Sequence, residues 1–344
     1  MPRRGHNRGV THDNAPRFRT GTDHVESWFV RANDPAAPRA LWLKATVLTR
    51  ADGSSLAQAW CSVFDGDRTA GFRHDVPLED AAFASPATGL ESRVGPLRLV
   101  LGDGGGASTG ELVSAAGRVS WDLTFSSDPG ELGDPMCLLP SRRLLDARLP
   151  RNKLLTPVPV ATFGGRLVWD DETWDLADWV GMQGHNWGDA HSPEYAWGQC
   201  VFLDGSGTPS AVVEGASGRI ELGGRLSPLL SMLVVRRGGR EYRFDRVVDL
   251  WRQRPDLAFP RWSLRMRGRD GEATLEMVAR PEAMVCLGYQ NPARPLSHCL
   301  NSKTARVRLE VRPRGGAAFE LTSEHGGALE FLQADPEPRV QPVV

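Results

Sequence analysis

The chain lacks any apolar run near the ~18–20 residues that a spanning helix needs, so the sequence offers no membrane span. Its first stretch, MPRRGHNRGVTHDNAPRF, is basic but has no apolar signal-peptide core. It points to a cytoplasmic protein in which residues 1–22 form a loose, flexible N-terminal segment. Cysteine is scarce. Cys61, Cys137, Cys200, Cys286 and Cys299 are odd in number and show no CxxC spacing, the pattern of reduced, buried thiols rather than disulfides or a zinc ribbon. Excess charge is absent too: 41 basic against 42 acidic residues give a formal net charge of −1, and no basic stretch suggests a nucleic-acid partner. HExxH is missing, and His185, His191, Glu194 and Cys200 are not spaced as metal ligands, so no metal is expected. GDGGGASTG lacks the lysine and the strand-to-helix context of a phosphate loop. It reads as a hairpin tip, and no cofactor is expected.

What the chain does have is alternation. LWLKATVL (41–48), RVSWDLTF (118–125), REYRFDRV (240–247), RWSLRMRG (261–268), EATLEMVA (272–279) and ARVRLEVR (305–312) alternate with period two, and Gly- and Asp-rich turns separate them. The arginine-rich members read as strands with one solvated face. In VVRRGGREYRF, Gly238 and Gly239 supply the positive φ of a two-residue turn, and VFLDGSGTPSAVV is a second hairpin bending at Asp204 and Gly205. Long helical periodicity is absent, apart from one short helix around 141–147. The fold class is therefore all-β, antiparallel. The 344 residues suit two domains, and closed barrels are favoured over sandwiches because closure eliminates exposed edges. The proline-rich 133–165 segment reads as a long packed connection. WDDETWDLADW (169–179) reads as a solvated linker whose tryptophans dock on the barrels, so the expected division is 23–168 and 169–344.

The stretch VGMQGHNWGDAHSPEYAWGQCVFLDGSG (180–207) concentrates His, Trp, Tyr and Cys. His185 and Trp187 share a face in extended chain, with Gly184 and Gly188 allowing bends on either side. Imidazole can exchange a proton near neutral pH and indole can stabilise a cation. A hydrogen-bonded loop histidine and a tryptophan plugging a barrel end is the alternative. Beyond the loop, Tyr195, Trp197, Gln199, Val201 and Leu203 form one face of a strand. A hairpin closing symmetrically around Gly205 and Ser206 sets Glu214 opposite Trp197 and Val212 opposite Gln199. If that face points into a barrel, burial favours the protonated carboxyl that a general acid needs; if it points outward, Glu214 is a surface charge. Trp28, Trp42, Trp60, Trp121, Trp251 and Trp262 read as core.

GHNWG followed by YAWGQCVFLDG resembles the motif pair opening the second half of the carotenoid 1,2-hydratase (hydroxyneurosporene synthase) and AttH-like family, with tocopherol cyclases and fungal Diels–Alderases more distant. ESWFVRANDPAAPRALWLKATVL (26–48) and LPRNKLLTPVPVATFGGRLVW (149–169) are similar in general character to the first strand pair and the connection between barrels. The resemblance implies two packed lipocalin-like barrels, the second carrying GHNWG. It also implies a lyase or isomerase that hydrates, cyclises or isomerises a lipophilic isoprenoid or polyketide-like molecule without a cofactor. In that scheme His185, Glu214 and Tyr195 are catalytic, and Trp187, Trp197, Gln199 and Asn186 bind substrate. Val212 departs from the tyrosine sought there in a hydratase, and Glu214 is the only carboxylate the next strand offers. A carrier of a hydrophobic small molecule and a purely structural tryptophan seam remain open. Peripheral membrane contact stays open, and the oligomeric state is not read from the sequence.

Overall fold

The computed structural model describes residues 12–343 apart from 87, 88, 128, 129 and 223, so residues 1–11 of the expected loose segment lie outside the described residues, as does the Trp251 side chain. The described residues form two large curled antiparallel sheets, with a two-stranded ribbon of Glu221–Leu222 and Arg225–Leu226 and short 3-10 turns besides, one of them at Arg142–Leu145. Every arginine-rich alternating stretch is a strand with one face outward, as in Arg261–Gly268. At the VVRRGGREYRF turn Gly238 and Gly239 have φ of 57° and 72°. A side chain there would be strained, which is why the turn is glycine.

The first sheet has eleven strands, with His24–Asn33 fourth along it, flanked by Arg39–Thr49 on one side and Glu172–Gly188 on the other. The second has Glu194–Leu203 between Pro209–Arg219 and Phe319–Gln333. The change of sheet therefore falls between Gly188 and Glu194, and GHNWG belongs to the first sheet rather than to the second. WDDETWDLADW is a hairpin, not a linker. Trp169, Trp174 and Trp179 are buried in the first core, while Glu172, Asp175 and Asp178 face outward.

The proline-rich connection ends sooner than expected, because Asn152–Trp169 is a strand of 18 residues. Its ladder shifts register between Leu155 and Val158 and again between Val158 and Ala161. Pro157 and Pro159, which cannot donate to a ladder, sit in those irregularities. Residues 12–22 also depart from the expected looseness. Asn14 is fully buried and trades side-chain hydrogen bonds with Gln183 at 3.2 and 3.0 Å, and its carbonyl accepts from Trp28 Nε1.

Each sheet curls around its own apolar core, one holding Trp28, Leu41, Leu43 and Trp121, the other Phe202, Trp262, Leu264 and Leu309. A third cluster fills the seam where the sheets meet, with Phe29, Trp42, Trp60 and Met182 from the first and Trp197, Val201, Val212 and Tyr289 from the second. Each such fully buried side chain contributes about 1.5–3 kcal/mol. Strand Arg39–Thr49 shows how alternation serves both: Leu41, Leu43, Ala45 and Val47 enter the first core, while Trp42 faces the seam.

Candidate active site

On Glu194–Leu203 the even positions Ala196, Cys200 and Phe202 enter the second core, and the odd positions Trp197 and Val201 face the seam. Gly198 is glycine because a Cβ there would stand 2.3 Å from Met277 Sδ. The expected hairpin register is off by two residues. Gln199, not Trp197, lies opposite Glu214, and Val201 lies opposite Val212, because the loop is centred on Ser206, with Leu203 paired to Pro209, and the ladder shifts by one more residue at a bulge between Phe202 and Leu203. A shift of two preserves the face. Tyr195, Trp197, Gln199 and Glu214 thus share one side, which points neither into a barrel nor to solvent but into the seam.

Glu214 is completely buried there. Thr156 Oγ1 donates to both its oxygens at 2.9 Å, reaching across from the first sheet, and Trp197 Nε1 donates at 3.1 Å. Burial outweighs these donors and pushes its carboxyl up to about 7. Gln199 accepts from Arg31 and donates to the Pro159 carbonyl. Arg31, itself 1% exposed, binds among the described residues only neutral oxygens, those of Asn33, Gln199 and Gly326.

Alongside lies a second polar group that the sequence reading passed over. Lys303 Nζ meets Glu330 Oε1 at 2.6 Å, and Asn301 Nδ2 donates to the same oxygen at 3.0 Å. Lys44 stands with its ammonium 3.9 Å from the Tyr289 ring centre and 5.4 and 5.9 Å from those of Trp42 and Trp60. Burial brings its ammonium down to about 8, with Glu330 and Cys299 opposing that shift. Tyr195 is partly buried on this side; burial, with Cys299 and Glu330 nearby, holds its hydroxyl well above the usual range, so it is a proton donor rather than a phenolate.

His185 and Trp187 are elsewhere. They lie on the face of Glu172–Gly188 turned toward the first core, at the end covered by residues 12–22. His185 is fully buried between Trp28 and Trp187, with ring centres 5.0 and 4.6 Å away. Its Nδ1 donates to the Asp13 carbonyl at 2.7 Å and its Nε2 to Glu26 Oε1 at 2.8 Å. Each ring nitrogen thus faces an oxygen, one from the backbone and one from a carboxylate. Glu26 also accepts from the backbone N–H of Arg17 and Phe18 and from His24. Burial opposes its ionisation, but the His185 and His24 bonds prevail and hold it at about 2. Asn186 points the opposite way from His185, paired with Ser27 and Leu154 on neighbouring strands.

The GHNWG glycines do not bend the chain. A Cβ at Gly184 would stand 2.3 Å from Phe29 Cζ, and one at Gly188 would stand 2.0 Å from the Arg151 carbonyl oxygen, so both permit close approach within a continuous strand. The expected constellation is therefore two: Tyr195, Trp197, Gln199 and Glu214 in the seam, and His185 with Trp187 across the first sheet. The overlooked members are Glu26, Arg31, Lys44, Lys303 and Glu330. Lys44 carried a readable signal, since it alternates with Trp42 on one face of LWLKATVL, and a solvated face has little use for tryptophan. Glu330, from a strand distant in sequence, shows that Glu214 is not the only seam carboxylate.

No family model matches the chain. It is 26% identical over 304 residues to two uncharacterized proteins of Mycobacterium tuberculosis, MT0513 of strain CDC 1551 / Oshkosh and Rv0493c of strain ATCC 25618 / H37Rv, covering 87% of this chain and 84% of each relative. Among solved structures it is similar to CghA, with a TM-score of 0.58, 13% identity and coverage of 92% of this chain and 90% of that one. Kievitone hydratase from Nectria haematococca matches with a TM-score of 0.53 and 10% identity over 90% of this chain and 88% of that one. A putative AttH, NE1406, from Nitrosomonas europaea gives 0.51 and 11% over 94% and 98%. At these identities the likeness is one of fold: two curled antiparallel sheets in the double lipocalin-like arrangement.

Proposed function

We propose that the seam between the sheets is the active site of an enzyme that hydrates, cyclises or isomerises a lipophilic small molecule, using the acid–base chemistry of its own side chains. The observation that carries this reading is Glu214, a fully buried carboxyl pushed up to about 7 among aromatic rings. A carboxyl of that kind is protonated for a substantial fraction of the time at neutral pH and can deliver a proton to an alkene or carbonyl. Trp197 lies beside it and its ring face can shield positive charge that develops on the substrate, while Gln199 and Tyr195 offer polar atoms to orient water or a substrate oxygen. His185 and Trp187 then act at one remove, by fixing the strand that carries Asn186 and Met182 along the seam.

Two features support this class of chemistry: the aromatic and aliphatic walls suit an apolar body, and kievitone hydratase is by its name a hydratase of similar fold. One positioned proton donor supplies about 10² to 10⁴ in rate. Exclusion of water and folding of the substrate must supply the rest. The test is incubation with a lipid extract of the source cells, followed by mass spectrometry of what the re-isolated protein retains. Glu214→Gln should retain a molecule that the wild type converts. Retention of the same unaltered molecule by both would reassign the protein as a carrier.

A further inference from the structure

The 41 basic residues of this chain include only three lysines, Lys44, Lys153 and Lys303, and all three are buried. Every exposed cationic side chain among the described residues is arginine or histidine. Lysine is thus confined to positions where a compact ammonium, rather than a guanidinium fork, is enclosed by protein. Lys153 belongs to the end of the first sheet, opposite Trp187; Lys44 and Lys303 face the seam.

The two seam lysines differ in one respect. Lys303 has its carboxylate, Glu330, whereas Lys44 makes no hydrogen bond and no ion pair among the described residues. Its neighbours make the imbalance sharper. Lys44 lies directly across from Trp60, and Trp42 directly across from Ser62, so these four side chains form a block on the seam face of the first sheet. Trp42 Nε1, Trp60 Nε1 and Ser62 Oγ are all buried without a hydrogen-bond partner. A buried donor left without an acceptor costs about 1–3 kcal/mol, and the carboxylate nearest in influence to Lys44, Glu330, is already paired with Lys303, so a block with three such atoms beside a buried ammonium is incomplete as it stands. The aromatic rings around Lys44 stabilise its charge but accept none of its N–H bonds in the manner of an oxygen. The seam as a whole holds three buried cations, Arg31, Lys44 and Lys303, against Glu330 and the carboxyl of Glu214.

We infer that Lys44 is the binding point for an acidic oxygen of the ligand, a carboxylate or enolate, with the indole N–H groups of Trp42 and Trp60 as flanking donors. This rests on the seam being the ligand site and narrows its ligand from a neutral hydrocarbon to a lipophilic acid. The apolar body would lie along Phe29, Met182, Trp197 and Val201, and the acid head would complete the donor block. Outside this block lies a small pocket of ≈ 20 Å³ that His191 lines together with Arg151, Arg219 and Arg294. The His191 ring stacks on Tyr289 at 5.3 Å, and Tyr289 in turn holds Lys44, so two rings separate the pocket from the ammonium.

The test uses the full chain with decanoate and its methyl ester as probes, read by calorimetry and by the ε-carbon resonances of ¹³C-lysine-labelled protein, which has only three lysines to resolve. Decanoate should bind about ten- to hundredfold more tightly than the ester and shift the resonance that Lys44→Met eliminates. Lys44→Met replaces the cation by an apolar side chain of similar length, which buried sites commonly tolerate, and should abolish the preference; Lys44→Arg should retain it. Equal affinity for acid and ester in the wild type, or a preference that survives in Lys44→Met, overturns the assignment of Lys44 and leaves a lipophilic seam. If neither probe binds the wild type, both this inference and the seam reading fall.

Discussion

Two glutamates in this molecule are equally inaccessible and behave in opposite ways. Glu26, at the end of the first sheet, is held at about 2; Glu214, in the seam, is pushed up to about 7. Both are 0% exposed. The difference lies in their partners. Glu26 takes bonds from two backbone amides and two histidines, whereas Glu214 has one hydroxyl and one indole N–H and, among the described residues, no cation in contact. Burial alone therefore does not mark an active carboxyl. The bonds at the end of the first sheet tie residues 12–22 to the sheet, which is structural work; the seam leaves its carboxyl near the point where it can exchange a proton.

The largest expected effect of disturbing this contrast is at Glu26. Glu26→Gln leaves the His185 ring without its carboxylate and should cost about 3–5 kcal/mol in urea denaturation at pH 7, as breaking a buried pair does. A loss below about 1 kcal/mol would show that the pair is no more than a surface ion pair in energetic terms.

Next comes the pH dependence, whose two halves have opposite signs. Glu26 is depressed, so its contribution is fully present above the unfolded value of 4.5 and is lost as pH falls toward about 2. Glu214 is raised, so its contribution is fully present below 4.5 and is lost as pH rises toward about 7. Each window spans about 3 kcal/mol. Measured as a difference, the stability of Glu214→Gln relative to the wild type should rise by about that amount between pH 4 and pH 8. A flat difference would place the Glu214 carboxyl at an ordinary value and remove its claim as the acid.

The smallest effect sharpens the comparison. Trp197→Phe deletes one donor to the Glu214 carboxylate, so the cost, about 1 kcal/mol, should be larger at pH 8 than at pH 5 and the upper transition should move to higher pH. A cost independent of pH would assign Trp197 to packing alone.

Much of this architecture was legible in the alternation. The hairpin at Gly238 and Gly239 and the arginine-rich strands are local patterns, in which turn chemistry and period two suffice. Asn152–Trp169 was not legible, because Pro157 and Pro159 argue against a strand until bulges accommodate them. The site was half legible. Tyr195, Trp197, Gln199 and Glu214 share a face despite a register error of two, since parity alone sets the face. Joining His185 to them failed because nearness along the chain says nothing about which side of a sheet a residue takes once the chain changes sheets between Gly188 and Glu194.

By itself the sequence determined that this chain is built of antiparallel strands and which residues of each strand travel together, because both follow from backbone geometry within a few residues. Only the tertiary structure decided that one face of the central strands is covered by the other sheet rather than by water. That packing took Glu214, Lys44 and Lys303 out of solvent together, and the energetic cost of burying charge, which depends on every neighbour from both sheets, is what makes those positions chemically distinctive.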